Sequence, residues 1–337
     1  PEGGAARTGP GQRAGVAPAR ALWSSARKGA LRMTRTLLVV NPRSANGTTA
    51  RVWPSLLARA RALLGNVEAV LTEAPFHAAE LTRKGLREGF DRIVAVGGDG
   101  TNHEVVNGFF ERGAALRPAA SFACIPRGTG CDFLKTFGLS TDPEALLTRM
   151  ARTTPRPIDV GWMRFTGPRG LDERAFLNVA DFGIGGRTVA RVNRTTKSMG
   201  GLVSFLFGTL GTFASWEGER VRLRIDDGPW QERAITGVHV ANGQFFGGGM
   251  RIAPEAQVDD GRFDVVIVDD MPRLSLLRGM PALYRGTHLG RSRVSFVRAR
   301  RVEAEADGEV LIDADGEQPG RLPAAFHVLP GALLLGL

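Results

Sequence analysis

The chain of 337 residues is too long for one ordinary domain and long enough for two, each with its own core. Apolar residues make up 43% and charged residues 23%, the balance of a folded protein that needs no covalent staples, and two cysteines, Cys124 and Cys131, exclude both a disulfide framework and a zinc cluster. The net charge of +10 admits phosphates or an anionic membrane surface as partners, but no basic helix interleaved with aromatics points to nucleic acid, and no run of about 18 uncharged apolar residues could span a bilayer.

Residues 1–32 hold six basic side chains (Arg7, Arg13, Arg20, Arg27, Lys28 and Arg32) against the single acid Glu2, and are rich in Gly, Ala and Pro, which reads as a disordered basic extension. Two accounts of it stay open: sequence upstream of a true start at Met33, or an arm for anionic membranes. It has no apolar core of a signal peptide. The scarcity of cysteine suits a reducing cytoplasm.

From 36 onward, short apolar runs bounded by turn residues alternate with helical spacing. Strands are expected at 36–40, 67–71, 92–96 and 121–125, and helices at 50–64, 77–88 and 101–111. Alternation with short connections implies a parallel sheet covered by helices, over about 33–157. Near 158 the pattern changes to short strands, at 175–179, 220–225, 234–241, 263–268, 294–299 and 309–313, separated by turns such as Asp226-Asp227-Gly228. That pattern is the signature of an antiparallel sandwich, over about 158–321. Helical stretches interrupt it around 201–214 and 272–287, and a last strand at 326–335 lets 322–337 return to the first half.

The strand–Gly97-Gly98-Asp99-Gly100-Thr101–helix unit is the strongest local signal. Its glycines allow a ligand close to the backbone, and the free N–H groups and helix dipole attract an anion. Thr101 and Glu104 have the spacing of a capping box. Asp99 would repel phosphate unless a Mg2+ ion lay between them. The segment lacks the Gly-Lys-Ser/Thr of a Walker A loop. Read alone, it fits a tight turn as well as a phosphate loop, and Asp315-Gly316-Glu317 reads first as a hairpin turn. Asp132 fits an N-cap or a metal or water partner, Lys135 a phosphate contact or a surface lysine, and His103 a structural role. Gly183-Ile184-Gly185-Gly186 and Gly247-Gly248-Gly249 read as turns.

The ordered set of motifs adds more. Asn41-Pro42-Arg43-Ser44, Thr72, Gly97 to Gly108, Pro126-Arg127-Gly128-Thr129-Gly130-Cys131-Asp132-Phe133, Asn242 to Met250, Ala253-Pro254, Asp259-Asp260-Gly261 and Asp315-Gly316-Glu317 follow one another. This order closely resembles the diacylglycerol kinase catalytic-domain family, with its sphingosine and ceramide kinases and bacterial soluble lipid kinases, over about 34–335. The resemblance implies an α/β domain and a β-sandwich domain with ATP and Mg2+ in the cleft between them. It places the nucleotide against Asn41, Pro42, Arg43, Ser44, Ala45, Thr72, Gly97, Gly98, Asp99, Gly100, Thr101, Asn102, His103 and Thr129. It makes Glu317 the general base, with Asp315 the alternative, and implies a structural Mg2+ held by the Asp260 side chain and the carbonyls of Gln257 and Arg262. Cys131 stands where the family usually has Asn, and Ala45 where it often has Gly.

The expected activity is phosphoryl transfer from ATP to a lipid hydroxyl, diacylglycerol by default, with ceramide or a sphingoid base as alternative, by a cytoplasmic protein that visits the inner face of the membrane. The apolar stretch 202–213 is either core or an acyl or membrane contact, with Arg187, Arg191, Arg194 and Lys197 beside it for headgroups. NAD kinases share the Gly-Gly-Asp-Gly loop, but Pro-x-Gly-Thr-Gly and the terminal Asp-Gly-Glu favour a lipid kinase. A non-catalytic lipid-binding regulator with the same fold is the reading from another class, and a homodimer is compatible with the sequence.

Overall fold

Parallel strands covered on both faces must be apolar along their whole length, and three segments meet that condition. β1 (Thr36–Val40), β3 (Arg92–Gly97) and β6 (Ser121–Pro126) are buried at every residue. The computed structural model describes residues 34–128, 130–195, 211–212 and 215–337. The extension 1–32, Met33, Thr129, Lys197 and nearly all of the expected helix 201–214 lie outside them, as does the Arg194 side chain.

β1 pairs in parallel with β2 (Val67–Leu71) and β3, and β3 pairs with β6, giving the order β2-β1-β3-β6. Helices α1 (Thr48–Leu64), α2 (His77–Arg87), α3 (Asp99–Phe109), α4 (Asp132–Thr136) and α5 (Pro143–Arg152) connect and cover these strands. A small hairpin, β4 (Phe110–Glu111) and β5 (Ala114–Ala115), follows α3. α5 starts where Asp142 accepts the Ala145 N–H at 2.8 Å with Pro143 in the first turn, a favoured combination of N-cap and N1 residue.

The second half is antiparallel. It comprises β7 (Arg156–Gly167), β8 (Gly170–Phe176), β9 (Val179–Gly183), α6 (Ile184–Thr195), β10 (Glu219–Ile225), β11 (Gln231–Ala241), β12 (Phe263–Asp269), α7 (Arg273–Arg285), β13 (Val294–Ala299), β14 (Arg301–Glu305), β15 (Leu311–Ala314) and β16 (Glu317–Leu335). The fold class read from the sequence, parallel α/β followed by an antiparallel sandwich, is the one observed. Three strands were missing from that reading, since the one expected at 175–179 straddles the break between β8 and β9 and stands for both. β14 is separated from β13 by Arg300 alone, so the pair reads as one run. β7 spans the expected boundary at 157/158.

β16 is longer than the expected 326–335. It pairs with β15, β14 and β7, and its end, Leu334 and Leu335, pairs in parallel with Ser121 and Phe122 of β6. Pro323 and Pro330 hid its length. Each sits at a register shift of the β7–β16 ladder, where a residue without an N–H is tolerated. One strand therefore runs from the antiparallel half into the parallel half.

Each half has its own core. In the second, Phe176 stacks on Phe263 (centroids 5.6 Å apart), Phe182 stacks on Phe326 (6.0 Å), and Phe176 meets Phe326 edge-on (6.5 Å). Gly161 lies opposite Phe176, and a Cβ there would come within 2.1 Å of the ring, so the glycine makes room for the aromatic. Phe176→Ala is expected to cost about 3–5 kcal/mol in denaturant unfolding; a loss below about 1 kcal/mol would show that the aromatic cluster is not what holds the sandwich together.

Candidate active site

The C-terminal ends of parallel strands are where open α/β sheets bind ligands. Here they carry the predicted nucleotide residues. The Asn41 N–H donates to the Val96 carbonyl (2.9 Å), and Thr72 N–H to the Val40 carbonyl (2.8 Å), so Asn41, Thr72 and Gly97 stand at one edge of β1, β2 and β3. The loop after β1 is held by its own polar groups. The Ser44 hydroxyl donates to the Asn41 carbonyl (2.8 Å) and lies 2.7 Å from the Thr49 hydroxyl, and the Arg43 N–H donates to the Asn41 carboxamide (3.0 Å). Pro42 begins the turn, and Ala45 and Asn46 take positive φ in it. Arg127, which the sequence reading passed over, donates to Thr48 and Thr49 and brings a cation to this loop.

α3 begins at Asp99, two residues earlier than expected, because Gly98 takes the N-cap position and its carbonyl accepts from both Thr101 N–H (3.0 Å) and Asn102 N–H (3.1 Å). The expected capping box is not formed. Thr101 Oγ1 instead accepts from the Asn41 amide (3.3 Å), tying the two nucleotide loops together, and Glu104 accepts from Ala78 N–H (3.1 Å). With no side chain capping α3, the N–H groups of Asp99 and Gly100 in its first turn remain available to an anion.

Asp99 lies at the mouth of this loop. Its Oδ2 accepts from Cys131 N–H (3.0 Å), and a Cβ at Gly130 would lie 2.3 Å from that oxygen, so only glycine fits there. Its Oδ1 is buried without a partner, as is the carboxamide oxygen of Asn102 one turn on. Burial, then the charge of Asp132, pushes the Asp99 carboxyl up to about 6. Asp132 is no N-cap, since Cys131 takes that position. Its carboxylate accepts from Lys135 (2.9 Å) and from Gly248 N–H (2.8 Å), so the triple-glycine turn of the second half docks onto the first. Lys135 is therefore committed to Asp132.

The two acids of Asp315-Gly316-Glu317 are in opposite situations. Asp315 and Gly316 both take positive φ (52° and 89°), as a two-residue hairpin turn between β15 and β16 requires. The Asp315 carboxylate accepts N–H groups of Leu177 (2.7 Å), Asn178 (2.8 Å) and Val179 (3.3 Å) and lies 3.4 Å from His103 Nδ1. Its oxygens are taken. His103 is buried on α3. Glu317 accepts no hydrogen bond from the described residues, and its Oε1 would lie 3.0 Å from a Cβ at Gly100. Burial raises its carboxyl above the ordinary range, opposed by the charges of His103 and Arg174. Arg174, also passed over in the sequence, stacks over Phe76 at 4.5 Å.

The structure thus brings Asn41, Thr72, the 97–103 segment, Asp99 and Glu317 to one place. Gln257, Asp260 and Arg262 lie elsewhere, on an exposed turn where Asp260 Oδ1 accepts from Arg262 N–H (3.0 Å). A cavity of about 320 Å³ opens between α6, β11 and α7, with Asp313 of β15 in its wall, lined by Ile184, Val189, Ile252, Leu276, Met280 and Leu283 among others. Ligand pockets commonly start near that size. Its apolar residues come from five separate elements and loops, so no local pattern announced it.

Residues 35–163 match the model of the diacylglycerol kinase catalytic domain, and residues 178–336 that of the YegS C-terminal NAD kinase beta sandwich-like domain. A Pseudomonas aeruginosa protein named "Probable lipid kinase YegS-like" is 32% identical over 262 residues, 77% of this chain and 81% of that protein. A "Diacylglycerol kinase" of Staphylococcus saprophyticus is 26% identical over 292 residues, 87% of this chain and 92% of that protein. A crystal structure of a diacylglycerol kinase from Bacillus anthracis superimposes with a TM-score of 0.65 at 21% identity, over 90% of this chain and 96% of that one, a likeness of fold. The chain belongs to the diacylglycerol kinase catalytic-domain family. It is a kinase.

The raised Asp99 carboxyl sets a sign. Between pH 3.8 and about 6 the folded chain holds a proton that the unfolded chain releases, so this group costs stability that is absent at low pH and complete above about pH 6. Asp99→Asn is therefore expected to raise the stability of the ligand-free protein at pH 7.5 by up to about 3 kcal/mol, with no gain at pH 3.5. Equal effects at both pH values, read by chemical denaturation, would remove the carboxylate from this role.

Proposed function

We propose that this kinase transfers the γ-phosphoryl group of ATP to a lipid hydroxyl. One observation carries the reading: among the described residues the Glu317 carboxylate has no hydrogen bond and lies beside Gly100 of the glycine loop, while Asp313, on the strand leading into the same turn, lines the apolar cavity. The base thus stands beside the proposed phosphate cradle, with room for an apolar substrate on the strand that leads to it.

In this mechanism the loops at Asn41–Ala45, Thr72 and Gly97–His103 bind the nucleotide, together with Thr129 by the family pattern. Glu317 takes the proton of the lipid hydroxyl as its oxygen bonds to the γ-phosphorus, and the bond from that phosphorus to the bridging oxygen of ADP breaks. Its raised carboxyl makes it a stronger base than an ordinary glutamate. Asp315 holds the turn, since its oxygens are occupied by N–H groups. Asp99, Asp132 and Glu317 put several carboxylates beside a polyanion. The unpartnered oxygens of Asp99 and Asn102 are hard donors on one helix turn, which fits Mg2+ held by one carboxylate plus substrate phosphates. Mg2+ bound there would neutralise phosphate charge. The structural Mg2+ at Asp260, Gln257 and Arg262 remains part of the proposal, with oxygen donors on one exposed turn.

Diacylglycerol, giving phosphatidic acid, is the acceptor that a relative's name supplies. Ceramide or a sphingoid base is the second reading, favoured by the polar floor of the cavity. For the membrane, α7 supports docking at the inner surface. Its inner side lines the cavity, while Leu274 (55% exposed), Leu277 (40%) and Tyr284 (43%) point outward among Arg273, Arg278 and Arg285. No helix among the described residues is long and apolar enough to cross a membrane.

Glu317→Gln is expected to lower kcat at least about 10²-fold while leaving thermal unfolding and ATP binding intact. Turnover within about tenfold of the parent protein on a lipid panel would take the base role from Glu317. Leu274→Ser with Leu277→Ser is expected to weaken sedimentation with phosphatidylglycerol vesicles without altering ATP binding, and unchanged sedimentation would locate membrane contact elsewhere.

A further inference from the structure

The floor of the cavity carries polar groups that phosphoryl transfer leaves unused. Asp313 of β15 lies opposite Asp181 of β9, and Asp181 lies opposite His239 of β11. Residues directly opposed across antiparallel ladders share a face, so the three side chains form one row across three adjacent strands. Their neighbours two positions away on the same face, Val179, Gly183, Gly237 and Ala241, have no polar side chain. Asp181 is 1% exposed, yet neither of its oxygens has a hydrogen-bond partner. His239 Nδ1 is buried and unpartnered too, and at 3.6 Å from Asp181 Oδ2 it stands beyond hydrogen-bond reach. Asp313 uses Oδ1 on Gly316 N–H (2.8 Å), which joins the row to the turn that carries Glu317.

The two ends of the row, Asp313 and His239, reach the cavity, and Asp181 lies between them under Gly185, which also lines the cavity. A Cβ at Gly185 would lie 2.0 Å from Asp181 Oδ1, so the carboxylate occupies the space that a side chain there would need. Buried carboxylate oxygens without partners are costly and rare, which makes two on one side chain a mark of a ligand rather than of packing. Carboxylate oxygens accept hydrogen bonds, so a group that satisfies them must donate. An acyl chain donates nothing, and neither does an ester carbonyl.

Granted the lipid-kinase reading above, we infer that the Asp181–Asp313–His239 row holds a second hydrogen-bond donor of the acceptor lipid, a hydroxyl, amide N–H or amine close to the reacting hydroxyl, and so selects lipids that carry one over diacylglycerol. Burial and then the charge of Asp181 push the Asp313 carboxyl well above its ordinary range, as expected for two acids side by side in a buried place. A donor from the lipid would relieve that situation. Diacylglycerol, whose single hydroxyl is flanked by esters, leaves the row unsatisfied.

The test uses the full chain with ceramide, monoacylglycerol and diacylglycerol in mixed micelles. Wild type is expected to show kcat/KM about tenfold or more higher for the two donor-bearing lipids, the size of one hydrogen bond to a charged acceptor. Asp181→Leu, or Asp181→Asn if the former unfolds, is expected to bring the ratio to within about twofold, mainly through KM. Equal or greater kcat/KM for diacylglycerol in wild type, or an unchanged ratio in the variants, would overturn the inference. Equilibrium binding of the same lipids to Glu317→Gln reads the row without chemistry. Preferential binding of ceramide there, lost with Asp181→Leu, supports the row even where no lipid is phosphorylated, an outcome that strikes only the kinase reading. Equal binding of ceramide and diacylglycerol strikes the row alone.

Discussion

The Asp315 carboxylate is the joint on which the site depends. It accepts consecutive backbone N–H groups from the β8–β9 connection and touches His103 on the helix that starts at the glycine loop. Hydrogen bonds to an ionised acceptor are among the stronger ones a protein makes, and several on one buried side chain fix its position tightly. The turn bearing Asp315 is thereby pinned to both halves, and Glu317, two residues on, has little choice but to lie against Gly100. The division of labour between two acids separated by one glycine follows from this saturation. One is spent on holding the turn, and the other has no hydrogen bond among the described residues.

Around that joint the site collects negative charge. Asp99, Asp132, Asp313, Asp315 and Glu317 come from both halves, while Lys135 is engaged with Asp132. Such a site is unfavourable alone and favourable only with a cation and donors from its ligands. The polarity is divided by the β15–β16 turn. On the nucleotide side, the free oxygens belong to Asp99 and Asn102, hard donors beside a phosphate cradle. On the cavity side they belong to Asp181, in an apolar enclosure where only a hydrogen-bond donor can meet them. Under the proposed function, these two sets of unpartnered atoms are the ones the ligands would meet.

Legibility in the sequence followed sequence separation. The unit of β3, glycine loop and α3 could be read because strand, loop and helix are contiguous and each has its own period. The second half could be read as antiparallel from its turns, although β16 was hidden by Pro323 and Pro330, and β14 by its closeness to β13. The capping box was misread for a physical reason: Thr101 had a better partner in Asn41, sixty residues earlier, and Glu104 one in Ala78. Asp315 and Glu317 looked interchangeable, because nothing local shows that the partners of Asp315 lie more than a hundred residues upstream.

By itself the sequence determined the two architectures, the position of the glycine loop after β3 and, through the order of its motifs, the family. These depend on local periodicity, backbone freedom at glycine and residue types at set spacings. Only the tertiary structure decided which acid is left free, that Lys135 is already paired, that a cavity opens beside β15, and that Asp181, Asp313 and His239 stand side by side across β9, β15 and β11. Each of those facts is a matter of which strands become neighbours, and strand order is chosen by burial and hydrogen bonding over the whole chain.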